Sequence, residues 1–130
     1  AKGKDFASVL GPYLVTPDEL EKNIVSKNKF GTKFDLDMSC YLNDELLSSG
    51  NTKEMHWSFE QIIERISYGV KLFPGDIIGS GTVGTGCLLE INGTNKLADT
   101  GYSEKWLKDG DIVCMKIDQL GKIENKIISK

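Results

Sequence analysis

The stretch GDIIGSGTVGTG, Gly75 to Gly86, decides between two folds. It contains Gly79-x-Gly81-x-x-Gly84, the letters of the dinucleotide-binding fingerprint, and Asp99 falls twenty positions after Gly79, where a ribose-binding carboxylate is sought. A nucleotide site needs a strand before the glycines and a helix opening at the third, so that pyrophosphate meets free N–H groups at a helix N-terminus. Asp76-Ile77-Ile78 supplies a strand-like run. The following TGCLLEINGT alternates like a strand and reaches Asn92-Gly93, a strong two-residue turn signal, so a hairpin is expected where the helix should be. No Gly-Lys-Ser/Thr follows, which removes a P-loop. The nucleotide reading is therefore set aside, and Asp99 reads as a turn residue in ADTG. The glycines allow positive φ and close approach to the backbone, either in a plain hairpin loop or in a nest of N–H groups holding a carboxylate or enolate oxygen, with the Thr82 hydroxyl as a further donor.

Outward from this loop the chain reads as short strands and one helix. SFEQIIERISYGVKLFPGD carries Phe59, Ile62, Ile63, Ile66 and Val70 as one apolar stripe at helical spacing. Ser58 can cap it, Gln61 completes a capping box, and Gly69 and Pro74-Gly75 end it. KFDLDMSCYLNDELLSSGNT alternates, with Phe34, Leu36, Met38, Cys40 and Leu42 on one face and Asp35, Asp37 and Ser39 on the other. Asn43-Asp44 sits at the turn of that hairpin. At the C-terminal end Val113, Met115 and Ile117 alternate, turn near Gly121 and return through Ile123 to Ile128. Tyr13 to Val15 is a strand-like run, Thr16-Pro17-Asp18-Glu19 has the form of a helix start, and NIVSKNKFGT reads as loop. The expectation is one domain over residues 1–130, α+β and mainly β, with one main amphipathic helix.

Composition limits the partners. The chain has 130 residues, a formal charge of -3 and a single arginine, Arg65, among sixteen basic residues. Bidentate phosphate recognition by several guanidiniums is thus unavailable, and no nucleic acid is expected. Lys122, Lys126 and Lys130 read as solvated tail charges. Cys40, Cys87 and Cys114 are an odd number without a CxxC pair. Each sits in an apolar, strand-like run, so buried free thiols in a reducing compartment are expected, without a disulfide framework or a zinc site. No run of eighteen apolar residues and no signal-peptide core is present, so no membrane partner and a cytoplasmic location are expected.

Five blocks then carry a resemblance running from Lys2 to Ile128: GKDFASVLGPYLVTPDEL, LNDELLSSGNTKEMHWSFEQIIERIS, GDIIGSGTVGTGCLLE, WLKDGDIVCMKIDQL and GKIENKI. Together, and in this order, they resemble the C-terminal part of the fumarylacetoacetate hydrolase family, which implies part of that family's mixed β-sheet roll. Members hydrolyse, isomerise, decarboxylate or dehydrate β-diketo and 2-oxo acids, use Mg²⁺ or Ca²⁺, and usually dimerise. The resemblance implies that Thr82, with Gly81 beside it, holds a substrate carboxylate. It implies that Lys4 (Lys2 in an alternative registration) stabilises the carbanion or enolate, and that Glu90 orients a catalytic histidine. GSGT…GCLLE is more similar to the hydrolase branch than to the TGTP loop of isomerases and decarboxylases, which points to C–C bond hydrolysis of an acylpyruvate-type acid, with a dehydratase, isomerase or decarboxylase of the same family as an alternative.

The family's metal ligands (an aspartate, a Glu-x-Glu pair and a further aspartate) and its histidine precede the segment that Lys2 matches. The expectation is a fragment, one chain of a split enzyme, or a shortened inactive product, with no metal bound by this chain alone. A homodimer or association with an N-terminal chain is expected with it. The rival is a non-catalytic β-rich subunit. His56, the one histidine, lies outside the block of the family's catalytic histidine and reads as a packing or capping residue beside Trp57. Asp35, Asp37, Asp44 and Glu45 lack the spacing of a calcium loop and read as a wet strand face.

Overall fold

The computed structural model describes residues 8–129. Lys4 and Lys2 lie outside the described residues. Among the described residues the architecture is α+β with six strands and two α-helices, and every strand pair is antiparallel. A 3-10 helix over Pro17–Asn23 starts where Thr16-Pro17 predicts, with Pro at its first turn and Leu20 buried beneath it. Tyr13 to Val15, expected as a strand, forms none.

NIVSKNKFGT, expected as loop, is instead a hairpin of β1 (Ile24–Asn28) and β2 (Gly31–Phe34). The Asn28 side chain accepts from the Phe30 N–H at 2.8 Å, and Gly31 takes φ 127 to close the turn. β3 (Asp37–Leu42) and β4 (Glu45–Asn51) form the expected hairpin. Asn43 and Asp44 both adopt positive φ, 50 and 66, as a two-residue turn requires. Leu47 is the extra residue of a bulge between the pairs Cys40–Ser48 and Tyr41–Leu46. β5 (Ile112–Ile117) and β6 (Gly121–Lys126) also pair as expected, and β5 docks on β3, giving one sheet in the order β4-β3-β5-β6. The Asn43 side chain accepts from the Ile112 N–H (2.8 Å) and donates to Asp111 (2.9 Å), tying the first hairpin's turn to the root of β5. That bond, together with the Lys108 N–H, holds the Asp111 carboxyl below its ordinary range.

The expected helix is α1 (Phe59–Ile66), with the Ser58–Gln61 capping box in place. It is shorter than its pattern, because the chain leaves the helix after Ser67 and Gly69 turns away with φ 79. A second helix, α2 (Leu88–Ala98), replaces the hairpin expected at Asn92-Gly93. Asn92 is the most deeply buried side chain among the described residues. Its amide donates to the Lys105 carbonyl (2.7 Å), and its oxygen accepts from the Lys105 N–H (2.9 Å) and the Tyr102 hydroxyl (3.3 Å). A tertiary anchor thus overrides the local turn preference.

The hydrophobic interior is small. Among the described residues Leu20, Leu36 and Cys114 are its buried apolar members. Phe59, Ile63 and Ile66, on the apolar stripe of α1, stay 42%, 48% and 37% exposed. The chain exposes 10454 Å², whereas a compact monomer of 14.4 kDa exposes about 6,800 Å². Of the thiols, Cys114 is buried and Cys40 half-buried. Burial, and secondarily Cys114, pushes the Cys40 thiol up. Cys87, expected to be buried, is exposed because it caps α2 instead of lying in a strand.

Candidate functional site

One open groove of about 810 Å³ runs between the 3-10 helix, β2, the front of α1 and the glycine loop. Phe34, Leu36 and Met38 form one wall, the alternating face that the sequence pattern predicts. Met55, Phe59, Ile62 and Ile63 form the facing wall, and Ser80 to Gly84 forms the rim. The walls are apolar and the rim is polar backbone, the usual makeup of a small-molecule site.

The base beside the rim is a hydrogen-bonded cluster. Asn51, buried at the end of β4, donates to Asp35 (2.5 Å) and Asp37 (2.7 Å) and accepts from the Lys53 N–H (2.9 Å). The Lys53 ammonium adds an ion pair with Asp35 at 3.1 Å. Lys53 and then Asn51 hold the Asp35 carboxyl below its ordinary range. Asp35 and Asp37 therefore serve the structure by fixing Asn51. Thr52 accepts from the Leu36 N–H (3.1 Å) and donates to the Phe34 carbonyl (2.6 Å), holding the bend between β2 and β3.

Behind the groove, buried Ser58 joins α1 to the first hairpin. Its hydroxyl accepts from the Gln61 N–H (3.2 Å) and donates to the Phe30 carbonyl (2.5 Å). Glu60 accepts from the Thr32 N–H at 2.9 Å. Burial raises the Glu60 carboxyl, but the backbone N–H groups of Glu60 and Thr32 and the hydroxyls of Thr32 and Ser58 outweigh it, and the net shift is downward. His56 stands edge-on to Trp57, with ring centroids 4.7 Å apart. It is exposed and lines the groove, so its neighbour is as expected but its place at the mouth is not a packed interior.

The glycine loop differs from its sequence reading in three respects. Asp76 to Ile78 is not a strand. A helix does follow, but it opens at Leu88, after Thr85, Gly86 and Cys87, with the Cys87 sulfur accepting from the Glu90 N–H at 3.4 Å. The dinucleotide fold still fails, now because no strand feeds the glycines and both sheets are antiparallel. Asp99 caps the end of α2 and accepts from the Gly101 N–H at 2.8 Å, the turn role assigned to it. Of the four loop glycines only Gly81 takes positive φ, 91, and a second left-handed residue is Thr85 at 65. Gly86 is required sterically, since a Cβ there would strike the Val83 carbonyl that its own N–H bonds at 2.8 Å.

Gly81 and Thr82 thus lie together on the groove rim. Among the described residues their N–H groups donate to no protein acceptor. Glu90 lies apart, exposed on the first turn of α2 and outside the groove lining. Among the described residues no three His, Cys, Asp or Glu side chains converge to hold a metal ion. No helix among them is long and apolar enough to cross a membrane.

An apolar groove rimmed by a glycine-threonine loop on an antiparallel α+β frame is not the architecture of a dinucleotide fold. The chain belongs to the fumarylacetoacetate (FAA) hydrolase family, whose C-terminal model matches residues 1–128. It is 35% identical over 123 residues to a 2,4-didehydro-3-deoxy-L-rhamnonate hydrolase of Sphingomonas, covering 92% of this chain and 35% of that protein. It is also 35% identical over 132 residues to an uncharacterised Staphylococcus epidermidis protein, covering 98% of this chain and 35% of that one. The fumarylacetoacetate hydrolase of Exiguobacterium antarcticum superposes with TM-score 0.57 at 28% identity, over 74% of this chain and 31% of that one. The crystal structure of an HpcE-type protein from Mycobacterium smegmatis superposes with TM-score 0.65 at 25% identity, over 92% and 36%. The chain spans about a third of the length of these relatives.

Proposed function

We propose that this chain supplies the carboxylate-binding part of an enzyme that hydrolyses a carbon–carbon bond of a 2,4-dioxo acid, with an acylpyruvate as the simplest substrate. The observation that carries the reading is the pair Gly81–Thr82, whose undonated N–H groups sit on the rim of an apolar groove. Such a rim binds a carboxylate through backbone N–H and the Thr82 hydroxyl, while an acyl tail lies along Met55, Phe59 and Ile63. The name of the Sphingomonas relative denotes a 2,4-dioxo acid, which supports the same substrate class.

In the reaction, water adds to the acyl carbonyl and the C–C bond breaks. Its electron pair becomes the enolate of pyruvate, which is protonated at carbon, and the acyl part leaves as a carboxylic acid. Thr82 and Gly81 hold the 2-oxo acid's carboxylate, and Lys4 stabilises the enolate charge. Glu90 orients a histidine that another segment supplies, so α2 must meet that segment. A divalent cation bound by such a segment would polarise the two oxygens of the substrate. The described residues do not gather a donor set for it, and no step of this chain's own chemistry passes through one.

The exposed stripe of α1 and the 10454 Å² of accessible surface support association with further polypeptide, as an N-terminal segment or as a second subunit. They equally favour a second reading, a non-catalytic β-rich subunit. Native mass measurement of the protein from its source, with and without Mg²⁺, separates the two. A metal-bearing complex with a longer or second polypeptide is the expected result, and a metal-free assembly of this chain alone would contradict the catalytic reading.

A further inference from the structure

The geometry points to Gly50 as a positioning residue for the carboxylate cradle. The inference rests on reading Gly81–Thr82 as that cradle. Gly50 pairs with Met38, and Met38 pairs with Ile117 across β4, β3 and β5, so the three share one face of the sheet. Met38 and Ile117 line the groove, and in the same row Gly50 leaves a gap. Val83 fills it. A Cβ on Gly50 would lie 2.5 Å from Val83 Cγ1, 3.5 Å from Cγ2 and 3.6 Å from Cβ.

Gly50 does not adopt positive φ, so its backbone conformation alone does not require glycine. Its absent side chain is the requirement, because it lets the residue beside Thr82 sit directly on the strand. Among the described residues, 77–85 makes no hydrogen bond to either sheet, and the one bond it takes part in is internal, from the Gly86 N–H to the Val83 carbonyl. The strand cannot yield instead, because Asn51, next to Gly50, is clamped by Asp35, Asp37 and Lys53. Val83 is β-branched and has no flexible tip to swing aside, so relief requires a χ1 rotation or retreat of the loop. Ordinary carbon contacts lie at about 3.5–4.0 Å, so the retreat is about 1 Å, and a displacement of that size at a binding group can cost on the order of 100-fold in activity.

The test uses ¹⁵N-labelled protein carrying Gly50→Ala, Val83→Ala, or both, with pyruvate as the probe. In Gly50→Ala the amide resonances of Gly81 and Thr82 move while those of Val113 and Asn125, paired at the far end of the sheet, hold, and pyruvate binds at least tenfold more weakly than to the unaltered protein. In the double variant the methyl introduced on the strand occupies the space of the lost Val83 methyl, and both the resonances and the affinity return. Unmoved Gly81 and Thr82 resonances in Gly50→Ala would overturn the inference, as would a double variant that restores neither readout. Should Gly50→Ala fail to fold, a folded double variant with the original Gly81 and Thr82 resonances supports it, and an unfolded one overturns it. A different result, pyruvate perturbing neither Gly81 nor Thr82 in the unaltered protein, would sink the cradle reading and leave the contact to be judged by the resonances.

Discussion

Replacing Ser58 with alanine removes one hydroxyl that serves two elements. The hydroxyl accepts from Gln61 N–H at 3.2 Å, satisfying a donor of the first turn of α1, and donates to the Phe30 carbonyl at 2.5 Å. Loss of a serine N-cap costs about 1 kcal/mol. The Phe30 carbonyl then loses its partner at a part-buried position, which costs about 0.5–1 kcal/mol because water recovers some of the bond. The other half of the capping box, from the Ser58 N–H to Gln61 Oε1 at 3.1 Å, belongs to the backbone and survives. The total is about 1.5–2 kcal/mol. Ser58→Gly isolates the two parts, since glycine at an N-cap costs only a few tenths of a kcal/mol, leaving mainly the Phe30 term. Urea unfolding should therefore show Ser58→Ala with a midpoint lowered by roughly 1 M, at a slope of about 1–3 kcal/mol/M. Ser58→Gly should fall about half as far. Equal losses in the two variants, or a loss under about 0.5 kcal/mol in Ser58→Ala, would refute this account of how α1 is set against the first hairpin.

Acid stability follows from Glu60. Its carboxyl in the folded protein is held below its ordinary value of 4.5, so on acidification the unfolded chain takes up the proton first. The stabilisation is complete above about pH 4.5 and is lost as pH falls through the lower folded value. Glu60→Gln should flatten that part of a pH–stability curve, and an unchanged acid limb would contradict the Thr32 contact. Asn92→Ala should cost about 2–3 kcal/mol, because it strands the Lys105 N–H and carbonyl that Asn92 satisfies. A thermal midpoint within a degree of the parent would argue against α2 as placed. Brief alkylation followed by peptide mapping should label Cys87 well before Cys40 and Cys114, in line with their exposure; equal labelling would contradict the packing of β3 and β5.

The elements that could be read from sequence are those whose local chemistry agrees with their tertiary place. Asn43-Asp44 tolerates positive φ at both positions, Ser58 and Gln61 cap α1, and Met38, Val113 and Ile117 alternate as their strands do. α2 was hidden for a specific reason. Its inward positions are Leu88, Ile91, Asn92 and Asn95, at helical spacing, but two of the four are asparagines, while Leu89 and Leu97 point outward at 71% and 91% exposure. A hydrophobic pattern therefore carries no helical period there, and Asn92-Gly93 offers a turn instead. β1 escaped likewise, since its half-buried positions are Ile24 and Ser26. At the site, the family motif picked out Gly81 and Thr82, which the fold brings to one groove. The contribution of Gly50 carries no local signal, because it depends on a residue thirty-three positions away.

The most direct test of the central claim is acylpyruvate hydrolysis by the protein assembled as in its source, with Mg²⁺ present, comparing the parent with Thr82→Val and Glu90→Gln. The account predicts turnover by the parent, a KM raised at least tenfold with kcat less affected in Thr82→Val, and abolished turnover in a folded Glu90→Gln. Hydrolysis that proceeds unchanged in both variants, or a folded, metal-loaded assembly that turns over no 2,4-dioxo acid, would contradict it.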